Sequence, residues 1–180
     1  MRLWRRSSTW ERIHAVLRER LRCRMGRAAT PSAAIRDSQA GKTTEQGGPP
    51  GDDGGKQSTG RKRPLLVDTR GLLRNVVVPP ATLPDRAGAR LVLAGLQQRC
   101  PRLRHRWADR ASTGPIVDWI TEPLGWTVEI VARAPRRGVV VTADGEFQRV
   151  ALPAVFEPVP RRWVVERPLA WTSHSRRMRK

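Results

Sequence analysis

The sequence predicts an α/β domain built on a mixed sheet, and three observations carry this. Short β-rich runs fill the first half, helical and β-patterned segments alternate in the second, and the length suits one core. With 180 residues the chain is about one domain long and can bury one good core. Three strands followed by alternating helices and strands favour a sheet with both antiparallel and parallel neighbours.

Taken in order, Ser8 and Glu11 have capping-box spacing and open a helical pattern. Trp10, Ile13, Leu17 and Leu21 recur on one of its faces, with arginines filling the rest. This N-terminal helical segment, 1–30, precedes a domain expected over 31–180. Ala33 to Asp37 reads as a short strand that Asp37 closes. Residues 38–63, rich in Gly, Pro, Lys and Thr, read as a mobile loop. Pro64–Thr69 and Leu72–Val78 flank Arg70-Gly71, which predicts a hairpin. Pro84–Arg99 is the clearest helix, with Ala87, Leu91, Ala94 and Leu96 inward and Arg86, Arg90, Gln97 and Gln98 outward. Leu103–Ala108 reads as a strand, Gly114–Leu124 as a helix ended by Pro123 or Gly125, and Trp126–Val131 as an alternating strand. Residues 133–160 read as irregular, with a short strand at Val139–Val141, and Arg161–Arg176 as a terminal helix containing Pro168.

Charge is the strongest compositional signal: 35 basic against 16 acidic residues give +19, nearly all of it arginine. Such a balance favours a polyanionic partner, because neutralised phosphates release their counterions. A GC-rich coding sequence also inflates arginine, so charge alone does not establish binding. Cys23 and Cys100 stand far apart, which suggests neither a zinc site nor a disulfide and fits a reduced cytoplasm. No apolar run spans a membrane and none follows the basic N-terminus as a secretory signal would. Gly41-Lys42-Thr43 is not a P-loop, since Arg36 stands where its first glycine belongs. His14, His105 and His174 lie in basic settings that give serine-hydrolase chemistry little support.

Three acids fall where element ends can bring them together: Asp37 after the first strand, Asp109 after the strand at Leu103–Ala108, and Glu166 on the last helix. Hard carboxylate oxygens in such a set suit Mg²⁺ or Mn²⁺ and leave positions for water and phosphate. Paired ions held this way serve phosphodiester chemistry. A surface acid at a strand end is the commoner case, and the pattern alone does not decide between them.

The stretches Ala33–Glu45, Gly60–Thr69, Trp107–Asp109, Leu124–Val131 and Arg161–Trp171 resemble, in that order, bacterial insertion-sequence transposases of the Asp-Asp-Glu type. The resemblance implies an RNase H-like mixed sheet with flanking helices. It further implies Asp37, Asp109 and Glu166 as catalytic residues and ligands of two Mg²⁺ or Mn²⁺ ions. Arg162, four residues before Glu166, resembles an arginine that holds DNA beside the site, and Lys42, Arg61, Lys62 and Arg63 would be phosphate contacts. The implied partners are double-stranded DNA, both transposon ends and target, and a second copy of the chain in a homodimer. The implied location is cytoplasmic, on the nucleoid when DNA-bound. A solvated charge run is the alternative for the basic residues. A non-enzymatic basic DNA-binding protein, or a non-functional relic, is the alternative for the whole.

The chain also departs from the family pattern. Arg110-Ala111-Ser112 follows Asp109 where Gly-Gly-Tyr or a close variant is usual, and the chain has no tyrosine. Arg36 puts a charge beside Asp37 at an inward position, costly if unpaired. Pro64 removes a sheet donor, and Pro168 stands inside the helix of Glu166, where a proline costs about 3 kcal/mol. The family's N-terminal region is not represented either. These departures predict a truncated, degenerate copy with a weakened fold and low activity.

Overall fold

The computed structural model describes residues 6–42, 51–53, 58–108, 115–131, 139–141, 144–149 and 162–175. Its centre is β1 (Ala33–Gly41), antiparallel to β3 (Ser58–Asp68) from Ala34 opposite Asp68 to Gly41 opposite Arg61. The far edge of β3 carries β2 (Gly51–Asp53) and β4 (Leu73–Val76), both antiparallel to it. On the other side of β1 lie β5 (His105–Ala108) and β6 (Thr127–Ile130), each parallel to its inner neighbour. The sheet order is β2-β3-β1-β5-β6, with β4 beside β3. An antiparallel half followed by two parallel strands is the RNase H-like arrangement expected from the motifs. A separate ribbon pairs β7 (Val139–Val141) with β8 (Phe147–Arg149), so part of 133–160 is ordered.

Both sheet faces are covered. Ala34 and Leu66 face a core with Ala89, Val92, Leu93, Ile120 and Trp126, beneath α2 (Asp85–Leu93), α3 (Leu96–Arg99) and α4 (Pro115–Leu124). Ile35, Leu65 and Val67 face the other way, onto Val164, Val165 and Leu169 of α5 (Arg162–His174). The switch of side at each residue is the two-residue period of a strand buried on both faces. No helix among the described residues is long and apolar enough to cross a membrane.

Three local expectations change. The segment 38–63 holds more strand than expected: β1 continues to Gly41, β2 lies inside it, and β3 begins at Ser58. The glycines read there as loop signals instead permit close approach, for a Cβ on Gly60 would collide with the Gly41 backbone. The helix expected over Pro84–Arg99 breaks at Gly95, whose φ is +67°. Its first part buries Gly88, Ala89, Val92 and Leu93, leaving Leu91 and Ala94 exposed. Gly88 explains the rotated face, since a Cβ there would come within 3.1 Å of Pro64 Cγ and the helix packs on the sheet through this gap.

The N-terminal helix α1 (Thr9–Arg24) departs most. Ser8 has a left-handed φ of +51° and makes no side-chain cap, so the capping box does not form. Trp10, Leu17 and Leu21 are exposed, while Arg22 is buried. Charge, not the apolar stripe, docks this helix. Arg22 Nη1 pairs with the Asp68 carboxylate, its Nε donates to the Ala28 carbonyl at 2.9 Å, and Arg18 Nη1 donates to the Leu73 carbonyl at 3.0 Å. Burial pushes the Arg18 guanidinium below its ordinary pKa, and the charge of Arg74 adds to this.

Asp68 is fully buried and ends β3. Its Oδ1 accepts the backbone N–H groups of Arg70 at 2.9 Å and Leu72 at 3.1 Å, while Gly71 turns the chain at φ +83°. One carboxylate thus caps the predicted hairpin turn and anchors α1. Asp68→Ala leaves Arg22 without its counter-charge and is expected to cost about 3–5 kcal/mol. Asp68→Asn should cost less, because an amide oxygen still accepts the turn N–H groups. Urea denaturation checks both, and an unchanged midpoint for Asp68→Ala would refute the anchoring role.

Candidate active site

The pleat of β1 determines which side of the sheet each polar residue reaches. Ile35 packs against α5, so Asp37, two residues on, belongs to the same face. Asp37 is half-buried, and its Oδ1 accepts the Ser38 backbone N–H at 2.8 Å. It stands in the middle of β1 rather than closing it, because pairing with β3 carries the strand on to Gly41. Arg36 points to the opposite face, where it is buried with Nη1 3.4 Å from the Asp85 carbonyl at the start of α2. The charge beside Asp37 therefore does not enter its face of the sheet.

The parallel register sets Ile35 opposite Trp107, each two residues before one of the two aspartates. Trp107 packs on the same apolar cluster as Ile35. Asp109 itself, with Arg110, Ala111 and Ser112, lies outside the described residues. The strand leading to it is braced from β6: the Trp107 indole N–H donates to Glu129 Oε2 at 2.8 Å, with His105 Nε2 3.4 Å from the same oxygen. His105 Nδ1 lies 2.7 Å from the Thr127 hydroxyl, and its ring meets Trp107 edge-on at 4.4 Å. The alternation of β6 is visible in sequence, but the Glu129–Trp107 contact depends on a register that only the fold supplies.

Glu166 lies on α5, whose buried side is formed by Val164, Val165 and Leu169, and is itself exposed. Pro168 stays inside a continuous helix. Apolar contacts at Val165 before it and Leu169 after it hold both halves on the sheet, so the proline does not end the element. The structure thus places Asp37 on the face that α5 covers and Glu166 on α5. Among the described residues no group of three or more His, Cys, Asp or Glu side chains is arranged to hold a metal ion.

The basic residues divide. Lys42 follows β1 and is exposed, and Arg63, opposite Gln39, is half-buried. Arg61 Nη2 donates to the Val78 carbonyl. Lys62, read as a phosphate contact, is buried on the other side of β3. Its Nζ lies 3.2 Å from Asp85 Oδ1 and donates to the Leu83 carbonyl at 3.0 Å. Alternation along β3 separates it from its neighbours, and Lys62 ties the sheet to the start of α2. Arg162 is the first residue of α5.

Fold and site together define an α/β domain of RNase H-like topology with one acid on the central strand and another on the covering helix. Residues 28–180 match the model of the transposase DDE domain family, and the chain belongs to that family. No curated protein matches it. Among solved structures it is similar to the crystal structure of the Mos1 strand transfer complex, with 18% identity and a TM-score of 0.34. That similarity covers 64% of this chain and 39% of the Mos1 chain.

Because Leu169 lies in the buried apolar side by which α5 packs on the sheet, Leu169→Ala should cost about 2–5 kcal/mol. It should also raise amide hydrogen exchange in α5 before that in β1 and β3. Equal protection of α5 in the variant and the parent chain would count against this account.

Proposed function

We propose that this chain is the catalytic domain of a bacterial insertion-sequence transposase, which cuts DNA at the element's ends and joins them to target DNA. One observation carries the reading: the alternation of β1 puts Asp37 on the sheet face covered by the helix bearing Glu166, in a chain of the DDE family. Asp109 follows directly on β5, the parallel neighbour of β1. The donor chemistry fits Mg²⁺ or Mn²⁺, since hard carboxylate oxygens suit both ions and leave positions for water and phosphate oxygens. Asp37, Asp109 and Glu166 would hold them. When bound, two such ions supply Lewis acidity to the attacking and leaving oxygens of a phosphodiester.

The proposed reaction has two steps. A water oxygen attacks the phosphorus at the element end and the 3′-oxygen leaves with a proton as a hydroxyl. That hydroxyl oxygen then attacks a target phosphodiester, forming a new P–O bond as the target's own 3′-oxygen departs. Asp37, opposite Leu65 of β3 and two residues beyond the stretch where β1 also pairs with β5, provides a fixed carboxylate for this chemistry. Lys42, Arg61, Arg63 and Arg162 are proposed phosphate contacts, and duplex DNA held by two copies of the chain is the proposed substrate complex.

Charge alone supports a second reading, a basic protein that binds DNA without cutting it. Nicking of supercoiled plasmid in Mn²⁺ or Mg²⁺ separates the two. Slow metal-dependent nicking is expected, slow because Arg110-Ala111-Ser112 replaces the usual glycine pair. Alanine at Asp37, Asp109 or Glu166 should each lower it by about 100-fold or more while DNA affinity is kept. DNA binding with a steep salt dependence but no nicking would establish the binding protein instead.

A further inference from the structure

We propose that Trp163, Arg167 and Trp171 form a stacking rail for the unpaired bases of a DNA strand, on the helix that carries Glu166. While Val164, Val165 and Leu169 bury one side of α5, Trp163 and Trp171 on the other are 58% and 62% exposed. Two such indoles on one helix are an unusual use of large apolar surface. Arg167 lies between them, four residues from each, which is about 6 Å of helix rise per step. Its guanidinium carbon is 5.5 Å from the ring centroid of Trp163 and 5.4 Å from that of Trp171, within cation–π reach of both. Its Nη2 also donates to the Arg70 carbonyl at 3.1 Å, which ties the rail to the β3–β4 turn. The rail is thus braced at its centre, and both indoles present ring surface to solvent.

Charge complementarity selects the occupant. A surface of exposed rings around a fixed cation, in a chain of net charge +19, attracts a polyanion. Within a duplex the base faces are already stacked, whereas an unpaired strand offers both π-faces and phosphates. The rail therefore suits single-stranded DNA, such as the frayed end of a strand held near Glu166. This rests on the DNA-processing reading above and adds to it the place where unpaired bases lie.

Fluorescence anisotropy of labelled oligo(dT) and of a blunt duplex of equal length, with the full chain in metal-free buffer, tests the proposal. W163A/W171A should weaken oligo(dT) binding about tenfold or more and change duplex binding by less than about twofold. W163Q/W171Q repeats the test with a polar side chain should the alanine variant fold poorly, and W163F/W171F should keep most of the affinity. W10A, which removes an exposed indole on α1, should change neither ligand. Equal losses on both ligands, or none on oligo(dT), would overturn the rail. So would a parent chain that binds both DNAs equally, and that result leaves the transposase reading standing because duplex binding remains. A parent chain that binds neither DNA overturns both.

Discussion

The two-residue pleat of β1 is the constraint on which the remaining structure depends. Among the described residues, β1 is the one strand of the main sheet with an antiparallel partner on one edge and a parallel one on the other, so both halves take their register from it. Its side chains go alternately to the two helical layers. Ala34 and Arg36 go toward α2, Ile35 and Asp37 toward α5. A one-residue slip would exchange the faces, sending Arg36 under α5 and Asp37 toward α2. Fold and site are therefore specified by the same pairing. The carboxylate is held in place by the ladder that builds the core.

Arginine does two kinds of work here. Arg22, Arg36, Arg74 and Arg106 are buried, as is Lys62, so part of the basic composition belongs to the scaffold rather than to a DNA-facing surface. The Asp68 carboxylate explains how one of these charges is accommodated: Arg22 and two turn N–H groups converge on it, and a fully hydrogen-bonded carboxylate tolerates burial. Asp85 acts similarly at the start of α2, with its carboxylate near Lys62 and its carbonyl near Arg36. These buried basic groups lie out of a polyanion's reach, so the number of basic residues overstates the nucleic-acid footprint. Exposed charge, such as that at Lys42 and Arg167, is the part a polyanion can reach.

Sequence patterns revealed the fold class and the type of most elements, because the β-rich runs and the helices from Pro84 onward carry clear periodicity. They failed where a residue's role is set by a distant partner. The apolar stripe of α1 is no guide to its docking, because Trp10, Leu17 and Leu21 are exposed and a buried ion pair between residues 46 apart in sequence decides that contact. The glycines of 38–63 looked like loop composition, yet Gly41 and Gly60 allow two strands to run close together. For the site, the order of motifs pointed to Asp37 and Glu166. Only strand alternation and the packing of α5 show that Asp37 lies on the sheet face this helix covers. Lys62 illustrates the limit, since three adjacent basic residues cannot share one face of a strand.

The departures from the family pattern acquire unequal weight in this frame. Arg36 is directed away from Asp37 and meets the carbonyl of Asp85, so its charge does not disturb the aspartate's side of the sheet. Pro64 sits opposite Ser38 within a ladder that continues on either side, and its carbonyl still accepts the Val77 N–H at 3.1 Å. Pro168 is bracketed by buried Val165 and Leu169, whose packing offsets part of the lost helical hydrogen bond. Each of these substitutions is absorbed by neighbouring contacts within the scaffold. Arg110-Ala111-Ser112 differs in kind, because it adjoins Asp109 directly and puts side chains where the family pattern has glycine, the residue with the greatest backbone freedom. On the proposed function, the weight of these departures therefore falls beside Asp109. The sheet with Asp37 on its central strand, and the helix that carries Glu166, keep the frame on which the proposed chemistry rests.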